Sequence, residues 1–237
     1  MAGHSQFKNI MHRKGAQDAK RAKLFTKLIR EIITAVRAGQ PDPAFNPRLR
    51  NAIIDARSSG MPKDKIESAI SRGSSTHEGE NYEEMRYEGY APGGVAIVVE
   101  ALTDNRNRTA SEVRSAFTKH GGAMGETGSV SFLFDHVGLI RYGKAISSYD
   151  AMFEATIEAG AEDCVEDEEG YNIYCAIDQF QAVRDFLAER FGDPEIAKRV
   201  WQAKTMMEAS GEDEEKLAKL IATLEDSDDV QEVYANF

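Results

Sequence analysis

The residues with the clearest capacity for chemistry crowd one end of the chain. His4 and His12 stand among Lys8, Asn9, Arg13 and Lys14, and Lys20, Arg21, Lys23, Lys27 and Arg30 follow. Up to Arg30 the sole acid is Asp18. Imidazole and ammonium groups at this density suit phosphate: cations neutralise it and His, Asn and Arg donate hydrogen bonds to it. Two histidines beside a phosphate-binding stripe would also suit a nuclease, with one as general acid and one as general base. No carboxylate pair for a metal accompanies them. A histidine set among lysines and arginines more often contacts phosphate or base than transfers a proton.

A second cationic cluster is "TDNRNRT", which places Arg106 and Arg108 just ahead of an expected helix start capped by Thr109 with Glu112. A helix N-terminus with Arg and Asn side chains favours anionic groups. Equally, Asp104 and Glu112 could pair with these arginines and simply order the loop. Arg48, in "NPRLRNAI", joins the candidate phosphate contacts.

Other constellations point away from catalysis. GxxxxGK[ST], GxSxG and HExxH do not occur. "GGAMGETG" has no following Lys and reads as a helix C-cap and turn rather than a phosphate cradle. Cys164 and Cys175 flank a hairpin-like segment without further Cys or matching His, so buried thiols are expected rather than a zinc site or a disulfide framework. Glu162, Asp163, Glu166, Asp167, Glu168 and Glu169 lack the EF-hand order of ligands and fit a solvated hairpin tip. No catalytic residue, metal or cofactor is expected.

Charge supports a binding role. The whole chain of 237 residues carries −11, but residues 1–75 have 15 Lys and Arg against 6 Asp and Glu, a net +9. The remainder has 14 against 34, a net −20. Such segregation indicates nucleic acid, or another anionic surface, as partner of the basic part. The alternative is that the basic segment docks on the protein's own acidic remainder. No apolar run is long enough for a transmembrane helix and no secretory signal is recognisable, so a cytoplasmic protein without membrane contact is expected, a monomer by preference.

The positioning elements follow from periodicity. In "KRAKLFTKLIREIITAVRAG", Phe25, Leu28, Ile29, Ile32, Ile33 and Val36 repeat at helical spacing, and Lys20, Lys23, Lys27, Arg30 and Arg37 form a separate stripe. Asn46 and Pro47 open a second helix, Pro62 a third, and "SSTHEGEN" is a polar linker. Thereafter "AIVVEALT" reads as strand, "TASEVRSAFTKHGG" as helix and "SVSFLF" as strand, after a turn-rich "YEGYAPGG". The pattern returns as strand "RVWQAKTMME", helix "DEEKLAKLIATLED" and strand "VQEVYANF". Two β-α-β halves can complete one ferredoxin-like sheet. The expected fold class is α+β with three domains: a basic three-helix domain over 1–76, a ferredoxin-like α+β domain from 77–134 plus 203–237, and an acidic α+β domain inserted at 135–202.

"MAGHSQFKNIMHRKGAQDAKRAKLFTKLIREI", "NPRLRNAI", "MPKDKIESAISRG", "YEGYAPGGVAIVVEALTDNRNRT" and "GGAMGETGSVSFLF" resemble the YebC/PmpR family in order and spacing. The likeness spans the chain, is dense up to Phe134 and thins afterward. "GHSQF" departs from the Lys-then-Trp of many members and removes one cation. The resemblance implies an N-terminal helical domain and two α+β domains, with no established enzymatic activity. It implies a DNA-binding transcriptional regulator, or a translation factor of the kind that activates mitochondrial translation or relieves ribosomes stalled at proline-rich sequences. DNA reading needs side chains that reach base edges, and the first helix offers few beyond Gln17. A basic arm with His, Asn and Phe7 better suits structured RNA such as ribosomal RNA or tRNA, with the ribosome as partner.

Overall fold

The computed structural model describes residues 14–75 and 81–237, with side chains from Lys20 onward. The fold is α+β, with an N-terminal helical domain followed by two further domains, and among the described residues it contains seven α-helices and two four-stranded sheets. The described residues fall into two compact units, one within Met1–Arg30, Glu78–Phe134 and Ala203–Phe237, the other within Glu31–His77 and Asp135–Gln202.

The long helix α1 (Lys14–Ala38) is amphipathic as its spacing predicts, with Phe25, Ile32, Ile33 and Val36 buried. In the second unit its C-terminal end meets α2 (Pro47–Ser58) and α3 (Lys63–Ser74). Asn46 organises that corner. Its side-chain oxygen accepts from the Leu49 N–H at 3.0 Å to cap α2, while its amide donates to Ala35 O at 2.7 Å and Gln40 O at 2.8 Å. One buried side chain thus satisfies orphan groups at two helix ends. Gly73 lies inside α3. A Cβ there would come within 2.8 Å of Val36 Cβ, so glycine is what lets α3 approach α1.

In the first unit, β1 (Glu83–Tyr90), β2 (Ala96–Thr103), β3 (Ala123–Met124) and β8 (Val230–Ala235) form a sheet in the order β3-β1-β2-β8. Every recorded pairing is antiparallel. Helices α4 (Arg106–Lys119) and α7 (Glu212–Glu225) cover one face. Val113, Ala116 and Phe117 of α4 and Leu217, Leu220 and Leu224 of α7 bury against Tyr87, Ile97, Val99 and Val233. Burying these side chains supplies the main stabilisation, roughly 1.5–3 kcal/mol for each large one.

The second unit holds the other sheet, in the order β5-β6-β4-β7: β4 (Phe134–Gly143), β5 (Asp163–Glu166), β6 (Gly170–Ala176) and β7 (Ile196–Ala203). Helices α5 (Tyr149–Glu158) and α6 (Phe180–Phe191) pack on it through Met152, Ala155, Val183 and Leu187. Cys164 and Cys175 are both buried and free, and Cys164 faces Ile173 across the hairpin rather than Cys175.

Four local expectations change. "MRYEGY" belongs to strand β1, because its partner β2 supplies a full antiparallel register from Glu83↔Thr103 to Tyr90↔Ala96. Within "SVSFLF", Ser131–Leu133 is a 3-10 turn, since Glu88 pins that backbone by accepting from Val130 and Ser131 N–H at 2.9 Å each. Phe134 then starts a strand of the other sheet. The strand near "RVWQA" runs Ile196–Ala203 and likewise belongs to the second sheet, so the first sheet draws its strands from a β1–β2 hairpin, β3 and β8. Finally, α4 is capped by Asn105, whose side chain accepts from Arg108 N–H at 3.1 Å, and not by Thr109. Arg106 and Arg108 therefore occupy its first turn.

Candidate functional site

The cationic stripe of α1 does not stand alone in the first unit. Lys23 forms an ion pair with Asp226 and donates to its carbonyl oxygen at 3.0 Å. One turn on, Lys27 donates to Glu225 O at 2.8 Å. Burial pushes the Lys27 amine below its ordinary value, and Glu225, Glu232 and Asp228 only partly offset this. Arg30 reaches Asp228 O at 2.7 Å and Asp229 Oδ1 at 2.6 Å, and stacks over the Tyr82 ring at 5.2 Å. The 3- and 4-residue spacing that makes the stripe also matches it to one acidic segment, "EDSDD", which runs from the last residue of α7 to the start of β8.

Asp229 is the centre of this arrangement. Its side chain is 5% exposed. Besides Arg30 on Oδ1, its Oδ2 lies 2.7 Å from Arg108 Nη2 and 2.7 Å from the Thr109 hydroxyl, with the Thr103 hydroxyl at 3.3 Å. Thr109 has one proton to give, and the ionised carboxylate can only accept, so that proton goes to Asp229. Thr103, 2.7 Å from Thr109, completes the chain and accepts from Asn105 N–H at 2.9 Å. Burial alone would raise the Asp229 carboxyl. The hydrogen bonds from Arg108, Thr109 and Arg30 outweigh it and hold the group below the ordinary carboxylate value.

A cavity of about 530 Å³ adjoins this hub. Lys23, Arg30 and Arg108 line it together with Asp104, Glu112, Asp226, Asp228 and Asp229. Its cations are outnumbered by carboxylates, which makes it a poor cradle for phosphate. No group of three or more potential metal ligands occurs among the described residues. What the arrangement does is electrostatic and mechanical: it ties α1 to the β2–α4 connection and to the segment before β8.

The remaining sequence candidates are distributed as follows. Lys20 and Arg21 are exposed on α1, one turn before the matched cations, and Arg21 stacks over Phe25 at 5.2 Å. Arg106 is exposed and pairs with Glu83 at 3.5 Å. Arg108 pairs with Asp104 as well as Asp229, both at 2.7 Å. Arg48 makes a bidentate pair with Glu31 at 2.7 and 3.0 Å in the second unit. His4, Lys8, Asn9, His12 and Arg13 lie outside the described residues, as does the side chain of Lys14. The linker residues 76–80 lie outside them too. Sequence reasoning missed Asp229, Thr103 and Asp226. The available signal was an acidic run placed directly before a strand, in a chain whose basic stripe needed a counterpart.

No helix among the described residues is long and apolar enough to cross a membrane. Comparison with known proteins addresses the whole chain. Residues 5–76 match the family described as the TACO1/YebC protein N-terminal domain, and residues 82–237 match the TACO1/YebC second and third domain. A solved structure of a conserved hypothetical protein, Aq1575 from Aquifex aeolicus, superposes with a TM-score of 0.86 at 47% identity. That match covers 98% of this chain and 96% of the other. A helical N-terminal domain, two antiparallel α+β domains and end-to-end agreement with both family regions lead to one assignment: the chain belongs to the TACO1/YebC family.

Proposed function

We propose that this protein is a nucleic-acid-binding regulator of gene expression that acts as a translation factor, engaging RNA phosphates through its basic N-terminal segment. The observation that supports this reading is the division of cations along α1. Lys23, Lys27 and Arg30 are matched by the acidic segment of the same unit, whereas Lys20 is exposed; Arg21, also exposed, lies over the Phe25 ring. Residues 1–22 contain five Lys and Arg (Lys8, Arg13, Lys14, Lys20, Arg21) against Asp18 alone, a net +4. The matched cations set the geometry, and the preceding ones carry the charge offered to a partner. His4, Asn9 and His12 add hydrogen-bond donors and a stacking ring suited to unpaired bases. Membership of a family of transcriptional regulators and translational activators accords with this role. Arg106, exposed on the first turn of α4, is a further phosphate contact.

The test is affinity of the full chain against salt concentration, for a single-stranded or looped RNA and for duplex DNA of equal length. Ribosome co-sedimentation at physiological salt runs alongside. The Lys20→Gln, Arg21→Gln variant should bind RNA more weakly and shallow the log–log salt slope by about 0.7 per lost contact. Lys27→Gln should leave the slope unchanged. Equal slopes for wild type and the double variant would remove the basic segment from the interface. Tight sequence-selective binding to duplex DNA without ribosome association would replace translation with transcription as the setting.

A further inference from the structure

The second unit carries an exposed apolar face that its own core does not use. On α5, Tyr149, Phe153 and Ile157 recur every four residues, while Met152, Ala155 and Thr156 point into the core. At about 100° per residue the first three form a stripe beside the buried one. Phe153 is 41% and Ile157 62% exposed, and Ile146 in the preceding turn is also exposed. The Tyr149 and Phe153 rings stack at 5.7 Å, and Tyr149 lies 6.3 Å from the Tyr171 ring, so the stripe is preformed rather than loose.

Carboxylates border this stripe. Asp150, Glu154 and Glu158 follow each apolar residue by one position, and α5 contains no basic residue. Opposite lies the β5–β6 hairpin with its acidic residues 162–169. The Tyr149 hydroxyl donates to Cys164 O on β5 at 3.5 Å, which sets the ring beside the hairpin. Desolvation pushes its phenol above the ordinary value, and the charges of Cys164, Asp163, Glu166 and Asp150 push in the same direction. Some of these acids are answered locally: Glu158 by Arg190 at 2.6 Å, Glu166 by Lys144 at 3.3 Å, and Asp167 and Glu169 by Arg141. Asp150, Glu154, Glu162, Asp163 and Glu168 have no ion pair among the described residues.

We propose that this face docks a basic amphipathic protein segment: a helix with leucine- or isoleucine-sized residues on one side and Lys or Arg on its flanks. Charge decides the occupant. A second copy would set acidic rims against each other, and RNA or an anionic membrane would be repelled by the same rims. A cationic helix gains burial along Tyr149, Phe153 and Ile157 and meets unpaired carboxylates at the edges, the arrangement of an apolar centre within a polar rim.

The probe is a fluorescein-labelled 18-residue peptide of Leu and Lys with leucines at helical spacing, titrated with the full chain in an anisotropy assay. A peptide of the same composition, scrambled so that its leucines share no face, is the control. Phe153→Ser with Ile157→Ser should weaken binding of the patterned peptide by about tenfold or more, as loss of central apolar anchors does. Asp150→Asn with Glu154→Gln should weaken it less and flatten its salt dependence. Because Ile157 is so exposed, Ile157→Ser alone serves as a variant whose fold, checked by circular dichroism, stays intact. Equal binding of the patterned and scrambled peptides would overturn the proposal, as would unchanged binding by folded apolar variants. Concentration-dependent dimerisation abolished by Phe153→Ser would overturn it in favour of a second copy.

Discussion

Among the described residues, buried Asp229 in the first unit and buried Arg184 in the second are satisfied in different ways. In the first, Asp229 receives Arg30, Arg108 and Thr109 from two separate stretches of chain, so both of its oxygens are occupied. In the second, Arg184 on α6 is 1% exposed. It donates to Asn51 Oδ1 at 3.2 Å and pairs with the neighbouring Asp185, while its Nε has no hydrogen-bond partner. A carboxylate is compact and accepts from several directions, so segments that converge on it are held by it. A guanidinium has five donors on a long stem, and packing can bury the stem before every donor is answered. The anion therefore fastens its unit. The cation is enclosed by its unit, which makes it the weaker contributor to stability.

Removing the anion should have the largest effect. Asp229→Ala leaves Arg30, itself only 15% exposed, without its carboxylate, and strands the hydroxyls of Thr103 and Thr109. Breaking a buried pair in this way costs about 3–5 kcal/mol, read as the fall in unfolding free energy from urea titration at pH 7. The pH dependence has a defined sign. A carboxyl whose folded value lies below its unfolded value contributes stability that is complete above the unfolded value and is lost as pH falls through the folded one. Stability of wild type should thus decline below about pH 4. The slope should be shallower in Asp229→Asn, which has no proton to take up. Equal slopes would show that other carboxylates govern acid unfolding.

A smaller effect is expected from one donor alone. Thr109→Val keeps shape and burial but deletes the hydroxyl 2.7 Å from Asp229. The two arginines still hold the carboxylate, so the loss should be about 1–2 kcal/mol, measured in the same titration. A loss equal to that of Asp229→Ala would mean that the hub acts as an all-or-none network.

The asymmetry between the two buried charges also explains what sequence could and could not reveal. Helix α1 was legible because Ile32, Ile33 and Val36 repeat at one spacing and Lys20, Lys23, Lys27 and Arg30 at another, both set by local geometry. The cap at Asn46 was legible for the same reason. Strand β1 was not: "EMRYEGY" has little apolar alternation, and its register comes from β2. The hub was not legible either. Thr103, Thr109 and Asp229 are 6 and 120 residues apart, and nothing local distinguishes Asp229 from Asp226 or Asp228, which are exposed. The stripe's partner in its own acidic segment had a visible motive in the charge segregation, but only the fold selects which carboxylates meet it.

The smallest effect, and the most discriminating, is expected at Arg184. If the cation is enclosed rather than fastening, an apolar side chain of similar length should replace it with little loss. Arg184→Met keeps a long unbranched stem at a buried position and removes a charge whose desolvation is only partly repaid. It also removes the unanswered Nε. Against this, Asn51 loses a donor, but that side chain is only partly buried and can turn to water. Asp185 still receives Gln181 at 2.9 Å and has Arg50 at 3.6 Å, so the acid is not orphaned. The unfolding free energy of Arg184→Met should fall within about 1 kcal/mol of wild type. Arg184→Ala should lose more, because truncating the stem opens a cavity whose cost follows its volume. A loss at Arg184→Met as large as that at Asp229→Ala would overturn the comparison, since it would make the guanidinium as much a fastener of its unit as the carboxylate is of the other.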